Sequence, residues 1–303
     1  MLSKIVIICG PTAVGKTSVS IELAKRLNGE IVCADSQQVY REMDVGTAKA
    51  NLKERSEIKH HLLDVINPCE HFDVSRFCEE ADCAIRKISD QNKLPIVVGG
   101  TGMYIRILCH GLCEAPPQDE EYRKELLDRI DSKGTVSLHD ELKEKDPEVA
   151  DKLSPNDRSR IIRALEVLHL TGESISKFQQ DHKFSEKRYD YLKIGLQIDR
   201  AELYDRINQR VDEMIANGWV DETRALRQKY PPDCQAFKAV GYHELHQVLN
   251  NQLDMESAVE EIKKRTRRFA KRQFTWFKAD NEIHWFDPDD ISSMELIIGR
   301  HLL

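Results

Sequence analysis

The chain has 303 residues, the length of two ordinary domains or of one domain with a large insertion. Hydrophobic residues make up 40% and charged residues 32%, which is enough apolar material for a sizeable core and argues against wholesale disorder. The net charge of −7, taken alone, argues against a nucleic-acid-binding protein. No apolar run approaches the roughly 18 residues of a membrane span, so we expect a cytoplasmic protein with no membrane partner.

The eight cysteines show no C-x-x-C pair and no zinc-binding spacing. A cytoplasmic protein keeps its thiols reduced, so we expect no disulfide.

The N-terminal third alternates between short apolar runs and amphipathic stretches. Strands are predicted at residues 5–9, 30–34, 61–66 and 95–98, with helices at 15–27 and 74–89. This alternation predicts an α/β fold with a parallel sheet and helices on both faces.

The composition changes after residues 115–117, Ala-Pro-Pro. Residues 118–188 are charged and read as helices at 121–130, 138–145 and 156–170, which predicts an all-helical insertion domain. The core domain is then 1–117 with 189–303. Within its second part we predict a strand at 192–198, a long helix at 255–277 and a last strand at 283–286.

The strongest chemical signal follows the first strand. The residues that match G-x-x-x-x-G-K-[ST] are Gly10, Pro11, Thr12, Ala13, Val14, Gly15, Lys16 and Thr17. Between a strand and a helix, such a P-loop binds a pyrophosphate through its backbone amides and the helix N-terminus. Lys16 would add charge at the outer phosphate, and the Thr17 hydroxyl would bind Mg²⁺.

P-loop hydrolases usually hold their metal with a second acidic residue at the end of a neighbouring strand. The apolar strand at 94–98 ends instead in Gly99-Gly100-Thr101-Gly102, and Asp64 is the only rival. The sequence therefore contains a complete pyrophosphate-binding loop but lacks a clear second acidic residue for hydrolysis. The glycine-rich turn itself fits either a close ligand approach or a plain tight turn.

The second strand ends at Asp35, followed by Ser36, Gln37 and Gln38. Ligands of open α/β sheets bind beyond the carboxyl ends of the strands, so Asp35 is expected beside the P-loop. It could act as a general base toward an amine or hydroxyl, with the amides reading a base edge, or it could simply cap the next helix.

The overall negative charge hides a local exception. Residues 263–278 hold eight basic and no acidic side chains, which leaves the rest of the chain at −15. Such a stripe is typical of a surface that binds a phosphate backbone, although a solvated helix or a calmodulin-type segment also fits. The interleaved aromatics Phe269, Phe274, Trp276 and Phe277 are predicted to be core residues rather than base-stacking platforms.

Together these segments resemble the bacterial tRNA dimethylallyltransferases, also called tRNA isopentenyltransferases. The resemblance is carried, in the family's order, by GPTAVGKT (10–17), DSQQVY (35–40), HHLLDVINP (60–68), GGTGMY (99–104), PNDRSRIIRALEVLHLTG (155–172), AVGYHEL (239–245) and KKRTRRFAKRQFTWFK (263–278). All seven together are highly specific, and they span nearly the whole chain.

The resemblance implies transfer of a dimethylallyl group from dimethylallyl pyrophosphate to N6 of the adenosine immediately 3′ of the tRNA anticodon, position 37, with Mg²⁺. It implies Asp35 as general base, Thr101 near the acceptor base, and Lys16, Thr17 and Arg210 acting on the pyrophosphate. It also implies that the anticodon stem-loop is bound by Asp35, Ser36, Gln37, Gln38, Thr101, Arg123, Ser159, Arg160, Arg163, Lys238, Arg267 and Arg268. A monomer is expected.

Departures from the family pattern are small. Position 37 is Gln where Met or Arg is common, and His243 replaces a basic residue, which could weaken a tRNA contact. Two other classes stay open. A P-loop small-molecule or nucleotide kinase would bind ATP but leaves the 263–278 stripe unexplained, and a non-catalytic RNA-binding protein leaves Asp35 without a role.

Overall fold

The computed structural model describes residues 2–113, 115–182, 184 and 186–303. The chain divides into two compact units. Met1–Cys109 and Lys187–Leu303 form the first, called the core unit here, and His110–Glu186 form the second, called the helical unit. The insertion domain predicted from composition, 118–188, starts eight residues later and ends two residues later than the helical unit.

The core unit is built on a six-stranded sheet in which every pairing is parallel. Its strands β1–β6 are Lys4–Cys9, Gly29–Cys33, His60–His61, Leu94–Gly99, Asp190–Leu196 and Ile283–Phe286, in the order β3-β2-β4-β1-β5-β6. The predicted parallel α/β sheet is confirmed.

The helices follow in chain order. They are α1 (Lys16–Arg26), α2 (Leu52–Glu57), α3 (Val74–Ser89), α4 (Gly102–His110), α5 (Glu120–Lys133), α6 (Thr135–Lys145), α7 (Pro147–Ala150), α8 (Arg158–Thr171), α9 (Ile175–His182), α10 (Arg200–Ala216), α11 (Trp219–Lys229), α12 (Tyr242–Leu249), α13 (Met255–Lys278) and α14 (Ile291–Leu302). Helices α5–α9 belong to the helical unit. Among the residues described there, no strand occurs, as the composition predicts.

The central strands are continuous apolar runs because helices cover both faces of a parallel sheet. In β1 every residue after Lys4 is buried, and all of β2 and β4 is buried. The register aligns Cys9 of β1 with Gly99 of β4, and Cys33 of β2 with Val98 of β4. The segments that follow these three adjacent strands therefore leave the sheet at one edge.

The third predicted strand is wrong over most of its length. Only His60–His61 pair as β3, and Tyr40 and Ile66 make one isolated bridge. Leu62 and Asp64 have φ of +63° and +56°, which breaks the extended backbone. The Asp64 carboxylate is turned toward Lys49 and Arg55, 2.7 Å from each, so local ion pairs override the apolar pattern.

The expectation that every thiol is reduced is also wrong. Cys69 and Cys234 form a disulfide across 165 residues of sequence, with their Cα atoms 4.5 Å apart. The fold brings the turn after Pro68 against the segment that precedes the 3₁₀ helix Gln235–Lys238. Spacing along the chain cannot reveal such a pair, because the proximity is created by tertiary structure. Separately, none of the helices formed by the described residues is long and apolar enough to cross a membrane.

Candidate functional site

The P-loop joins β1 to α1 at the carboxyl edge of the sheet. Gly10 has φ of +147°, and a Cβ there would lie 2.8 Å from the Leu196 carbonyl oxygen, so only glycine fits. Gly15 has φ of +103° and is the N-cap of α1. The loop therefore ends at a helix N-terminus, where backbone N–H groups and the helix dipole favour an anion.

The Lys16 ammonium folds back over this loop. Its Nζ donates to the carbonyl oxygens of Gly10 and Pro11, at 3.0 and 2.7 Å. Burial lowers the pKa of Lys16 to about 8, the Asp35 carboxylate opposes that shift, and the Arg210 guanidinium adds to it. A bound pyrophosphate would supply the negative charge that these two partly buried cations need.

Asp35 uses one carboxylate oxygen to hold the turn that follows β2. Its Oδ1 accepts from the backbone N–H groups of Gln37 and Gln38, at 2.8 and 3.3 Å. Its Oδ2 accepts no hydrogen bond from any described residue. Asp35 thus caps a turn rather than a helix, because the next helix, α2, begins at Leu52, and its second oxygen is free to accept a proton.

Thr101 follows the neighbouring strand β4. Its Oγ1 accepts from the Ser36 N–H at 3.1 Å, and its own N–H donates to the Ala34 carbonyl at 3.3 Å. The turns after β2 and β4 are therefore hydrogen-bonded to each other. This contact places the Thr101 hydroxyl beside the Asp35 turn.

Gln273 of α13 links the two glycine-rich turns, and sequence reasoning missed it. Its Oε1 accepts from the Thr12 N–H at 2.9 Å, and its Nε2 donates to the Gly100 carbonyl at 3.0 Å. Gln273 is only 7% exposed. An amide on the same buried face as Ile262, Ala270 and Phe277 was the available signal, since a buried amide requires partners.

The same helix explains two glycines of the GGTG turn. A Cβ at Gly100 would lie 2.2 Å from the Gln273 Nε2, and a Cβ at Gly102 would lie 2.2 Å from the Trp276 ring. These two glycines make room for α13 rather than for a ligand. Of the two interpretations left open by the sequence, neither describes this close helix approach.

Two clefts open at this edge of the sheet and share part of their walls. The first, of about 500 Å³, contains the P-loop residues Thr12, Ala13, Gly15, Lys16 and Thr17 together with Asp35, Gln38 and Arg210. The second, of about 400 Å³, contains Thr12, Ala13, Asp35, Ser36, Gln37, Thr101, Arg210 and Lys238. Asp35 and Arg210 line both clefts, so they lie where the two meet.

Arg210 projects from α10 into this junction. Burial lowers its pKa from the usual value, while Asp35 and then Glu213 oppose that shift. An arginine keeps its charge even so, and its fork of donors suits phosphate oxygens. The predicted grouping of Lys16, Thr17, Asp35 and Arg210 is therefore present in one cleft, and Thr101 joins Asp35 and Arg210 in the other.

The residues present fit a magnesium ion. Mg²⁺ binds through one or two protein oxygens, with waters and substrate phosphates completing its shell. The Thr17 hydroxyl lines the first cleft beside Lys16 and bonds to no described residue. No group of three or more His, Cys, Asp or Glu side chains suited to a metal occurs in the described part of the chain, so a pyrophosphate would supply the remaining ligands.

Asp64 does not serve as a second metal ligand. Its two oxygens lie 2.7 Å from the Lys49 Nζ and the Arg55 Nη1, so its charge is neutralised. Hydrogen bonds from these two cations hold its pKa below the usual value against the effect of burial. This arrangement disfavours the kinase interpretation of the P-loop.

The glutamines after Asp35 differ in what they offer. The Gln38 Nε2 donates to the carbonyls of Thr47 and Ala48, at 3.0 and 3.4 Å, so its amino group is committed to holding that loop. The Gln37 Oε1 is buried with no hydrogen-bond partner among the described residues. Neither amide oxygen accepts a hydrogen bond from a described residue, so Gln37 can offer its oxygen to a ligand in the second cleft and Gln38 can offer its oxygen in the first.

The basic stretch of α13 has two dissimilar halves. In the first, Lys263 pairs with Asp212 at 2.8 Å, Lys264 with Glu261 at 3.0 Å, and Arg265 with the buried Glu244. In the second, Arg267 donates to Asn208. Arg268, Lys271 and Arg272 are exposed and make no ion pair within the described residues. The unneutralised charge therefore begins at Arg267.

The prediction that the aromatics of this helix are core residues is wrong for two of them. Phe277 is 3% exposed, but Phe269 is 40% and Trp276 is 39% exposed. Phe269 and Trp276 lie on one stripe with Ile262, as the spacing predicts. The buried face of α13 continues to its end through Ala270, Gln273 and Phe277, and Phe269 and Trp276 lie beside that face.

Several predicted RNA-binding residues lie in the helical unit. Arg123 and Arg163 both bond to the buried carboxylate of Glu166, and Arg163 also donates to the Pro116 carbonyl at 2.6 Å. Ser159 and Arg160 are exposed near the start of α8. Their RNA contacts remain predictions.

Two further residues lie on the exposed surface of the core unit. Lys238 reaches the wall of the second cleft and donates to Gln235 at 3.1 Å. His243 is exposed at the start of α12, so its proposed effect on RNA binding stays a prediction.

Comparison with known proteins identifies the family of the chain. The family model described as IPP transferase matches residues 38–280, and one described as Isopentenyl transferase matches residues 3–65. The chain is 44% identical to tRNA dimethylallyltransferase 2 of Syntrophus aciditrophicus, over 99% of this chain and 96% of that one. It is 46% identical to tRNA dimethylallyltransferase of Geobacillus thermodenitrificans, over 96% and 92%.

Similar solved structures belong to the same kind of enzyme. The full-length tRNA isopentenylpyrophosphate transferase of Bacillus halodurans superposes with a TM-score of 0.75 at 41% identity, covering 99% of this chain and 97% of that one. A eukaryotic dimethylallyltransferase acting on tRNA superposes with a TM-score of 0.81 at 30% identity, covering 99% and 77%. The resemblance seen in the sequence is confirmed, and the chain belongs to the IPP transferase family.

Proposed function

We propose that this protein transfers a dimethylallyl group from dimethylallyl pyrophosphate to N6 of the adenosine immediately 3′ of the tRNA anticodon. The products are N6-isopentenyladenosine and pyrophosphate. The observation that carries the proposal is the pair of adjoining clefts that share Asp35 and Arg210, one lined by the P-loop and the other by Thr101. Two substrates can then meet at Asp35 from different sides.

The first cleft suits the donor. The amides at the start of α1 would bind the pyrophosphate, and Lys16 and Arg210 would neutralise the charge that grows on it as the C–O bond breaks. Mg²⁺, held by the Thr17 hydroxyl, would add Lewis-acid stabilisation of the leaving group. Thr12 contributes less than the motif predicts, because its N–H is already bonded to Gln273.

The second cleft suits the acceptor. Adenine N6 is a weak nucleophile, since its lone pair is delocalised into the ring, so removal of its proton during attack is useful. The free Oδ2 of Asp35 can take that proton, while Oδ1 stays fixed by the backbone of Gln37 and Gln38. The target base must leave the anticodon-loop stack to reach this position.

The unpaired cations of α13 supply the RNA-binding surface. Arg268, Lys271 and Arg272 are exposed and pair with no carboxylate of the described residues, which leaves their charge available to phosphates. Arg123, Ser159, Arg160 and Arg163 of the helical unit and Lys238 of the core unit are proposed to contribute to tRNA binding. We also propose that the enzyme acts in the cytoplasm as a monomer.

The test is a single incubation. The purified protein is mixed with an unmodified anticodon stem-loop, Mg²⁺ and dimethylallyl pyrophosphate, and the mass of the RNA is then measured by mass spectrometry. We expect one five-carbon unit on the stem-loop, and none when the adenosine 3′ of the anticodon is replaced.

The opposite result would be a folded protein that binds the RNA without adding mass. Thermal stabilisation by ATP rather than by dimethylallyl pyrophosphate would then support the kinase interpretation.

A further inference from the structure

Two large aromatic side chains of α13 are exposed without a structural reason. Phe269 and Trp276 are 40% and 39% exposed, whereas Phe277 of the same helix is 3% exposed. Phe269 lies in the wall of both clefts, and exposed aromatic rings flanked by cations are typical of surfaces that bind unpaired bases. Neither ring has a part in the chemistry described above.

Each ring is held in a fixed place. The Trp276 indole lies directly over Gly102, where a Cβ would come within 2.2 Å of it, so one part of the ring is packed on backbone next to Thr101. Phe269 lines both clefts at their junction, and the Arg272 guanidinium lies 5.7 Å from its ring centroid. A base stacking on either ring would need little side-chain reordering.

The charges around the rings identify the kind of partner. Arg268 precedes Phe269, and Lys271 and Arg272 lie between the two aromatics; all three cations are exposed without acidic partners among the described residues. Cations attract phosphates of any nucleic acid, but exposed aromatic faces bind only bases that are free of a duplex stack. The combination fits single-stranded RNA in a loop.

We propose that residues 267–276 form a single-stranded RNA surface on which two bases of the anticodon loop stack separately. Phe269 contacts the acceptor adenine in the cleft, and Trp276 carries a second unpaired base outside it. The two positions are seven residues apart, about 10 Å along the helix, which exceeds the spacing of directly stacked bases. This proposal rests on the proposed function, which supplies an RNA loop with an extruded adenosine.

The test couples each ring to one base. Stem-loop affinity is measured for Phe269→Leu and Trp276→Leu against stem-loops that carry an abasic nucleotide at one loop position at a time. With the intact stem-loop we expect each variant to bind about fivefold to about a hundredfold more weakly, the range for one stacked base. For Phe269→Leu the loss should vanish when the acceptor base is missing.

For Trp276→Leu the loss of affinity should vanish when the abasic nucleotide stands at one other position of the loop. Trp276→Phe should recover most of the affinity, and the slope of log affinity against log salt should stay unchanged, because no charge is removed. Melting temperature and stabilisation by dimethylallyl pyrophosphate verify that Trp276→Leu is folded.

Losses that persist with every abasic stem-loop, or no loss at all, would overturn the proposal. Equal losses with a duplex of the same length would point instead to a general effect on the fold or charge. The proposed function fails separately. If each ring proves coupled to one base but no five-carbon unit is transferred, the proposed function is wrong and the RNA surface stands. If the unit is transferred but neither ring is coupled to a base, only the proposed RNA surface is wrong.

Discussion

The clefts and the outer face of α13 both present positive charge, but in opposite surroundings. Lys16 and Arg210 are partly buried in the clefts beside Asp35, and this burial lowers both pKa values. Arg268 and Lys271 are exposed, with no acidic partner in the described part of the chain. Buried charges interact strongly and are barely screened, while exposed charges interact weakly and are screened by salt. The buried set is suited to the reacting atoms, and the exposed set to capturing the RNA.

The largest effect expected is at Asp35. Asp35→Asn keeps an oxygen that can accept from Gln37 and Gln38, so the turn survives, but the amide cannot take a proton. We expect transfer to fall by about 10²-fold or more, with stem-loop affinity nearly unchanged. Single-turnover rates and binding titrations measure the two. Asp35→Ala is the matched variant that also loses the turn, and a normal rate in either would remove Asp35 as the base.

An intermediate effect is expected at Gln273, which joins the exposed helix to the buried turns. Gln273→Met has similar volume and makes neither the Thr12 nor the Gly100 hydrogen bond. Because small displacements of reacting groups are costly, we expect kcat to fall by roughly tenfold while KM for the donor changes little. Gln273→Glu can still accept the hydrogen bond from the Thr12 N–H but cannot donate to the Gly100 carbonyl. We expect its kcat to fall more than its affinity for the donor. A lower melting temperature with unchanged kcat would reduce Gln273 to a packing role.

The smallest effect per residue is expected on the outer face. Arg268→Gln and Lys271→Gln should each weaken stem-loop binding modestly and lower the slope of log affinity against log salt by about 0.7 for each phosphate that the variant no longer neutralises. Lys264→Gln is the control on the same helix, since Lys264 is exposed but paired with Glu261. An equal slope change in all three would erase the distinction between the two halves of α13.

Much of the cleft region can be predicted from the sequence, because the spacing of the P-loop and the position of a residue at the end of a strand are local patterns. The P-loop, Asp35 and Thr101 follow strands that proved adjacent, so their convergence follows from parallel topology. The strand predicted at 61–66 failed because Asp64 pairs with Lys49 and Arg55, contacts that hydrophobic periodicity does not encode.

Other features depend on tertiary packing and cannot be predicted in this way. Charge counting treats all arginines alike, yet Arg123 and Arg163 share the buried Glu166. The paired Cys69 and Cys234 and the exposed Trp276 likewise follow from which elements lie against each other. Periodicity places a residue near one face of a helix but does not say which residues beside that face stay exposed.

The point where the chain leaves the core unit and the point where it returns lie side by side. The Arg188 N–H donates to the Cys109 carbonyl at 2.9 Å, and its guanidinium donates to the Leu108 carbonyl at 3.1 Å. The chain leaves the core unit and re-enters it at one point, where β5 begins soon after. A short turn of a few residues could close that gap without stretching the sheet. The helical unit is thus an exchangeable module, and its loops could be lengthened, shortened or replaced during evolution or engineering while the sheet and both clefts keep their own contacts.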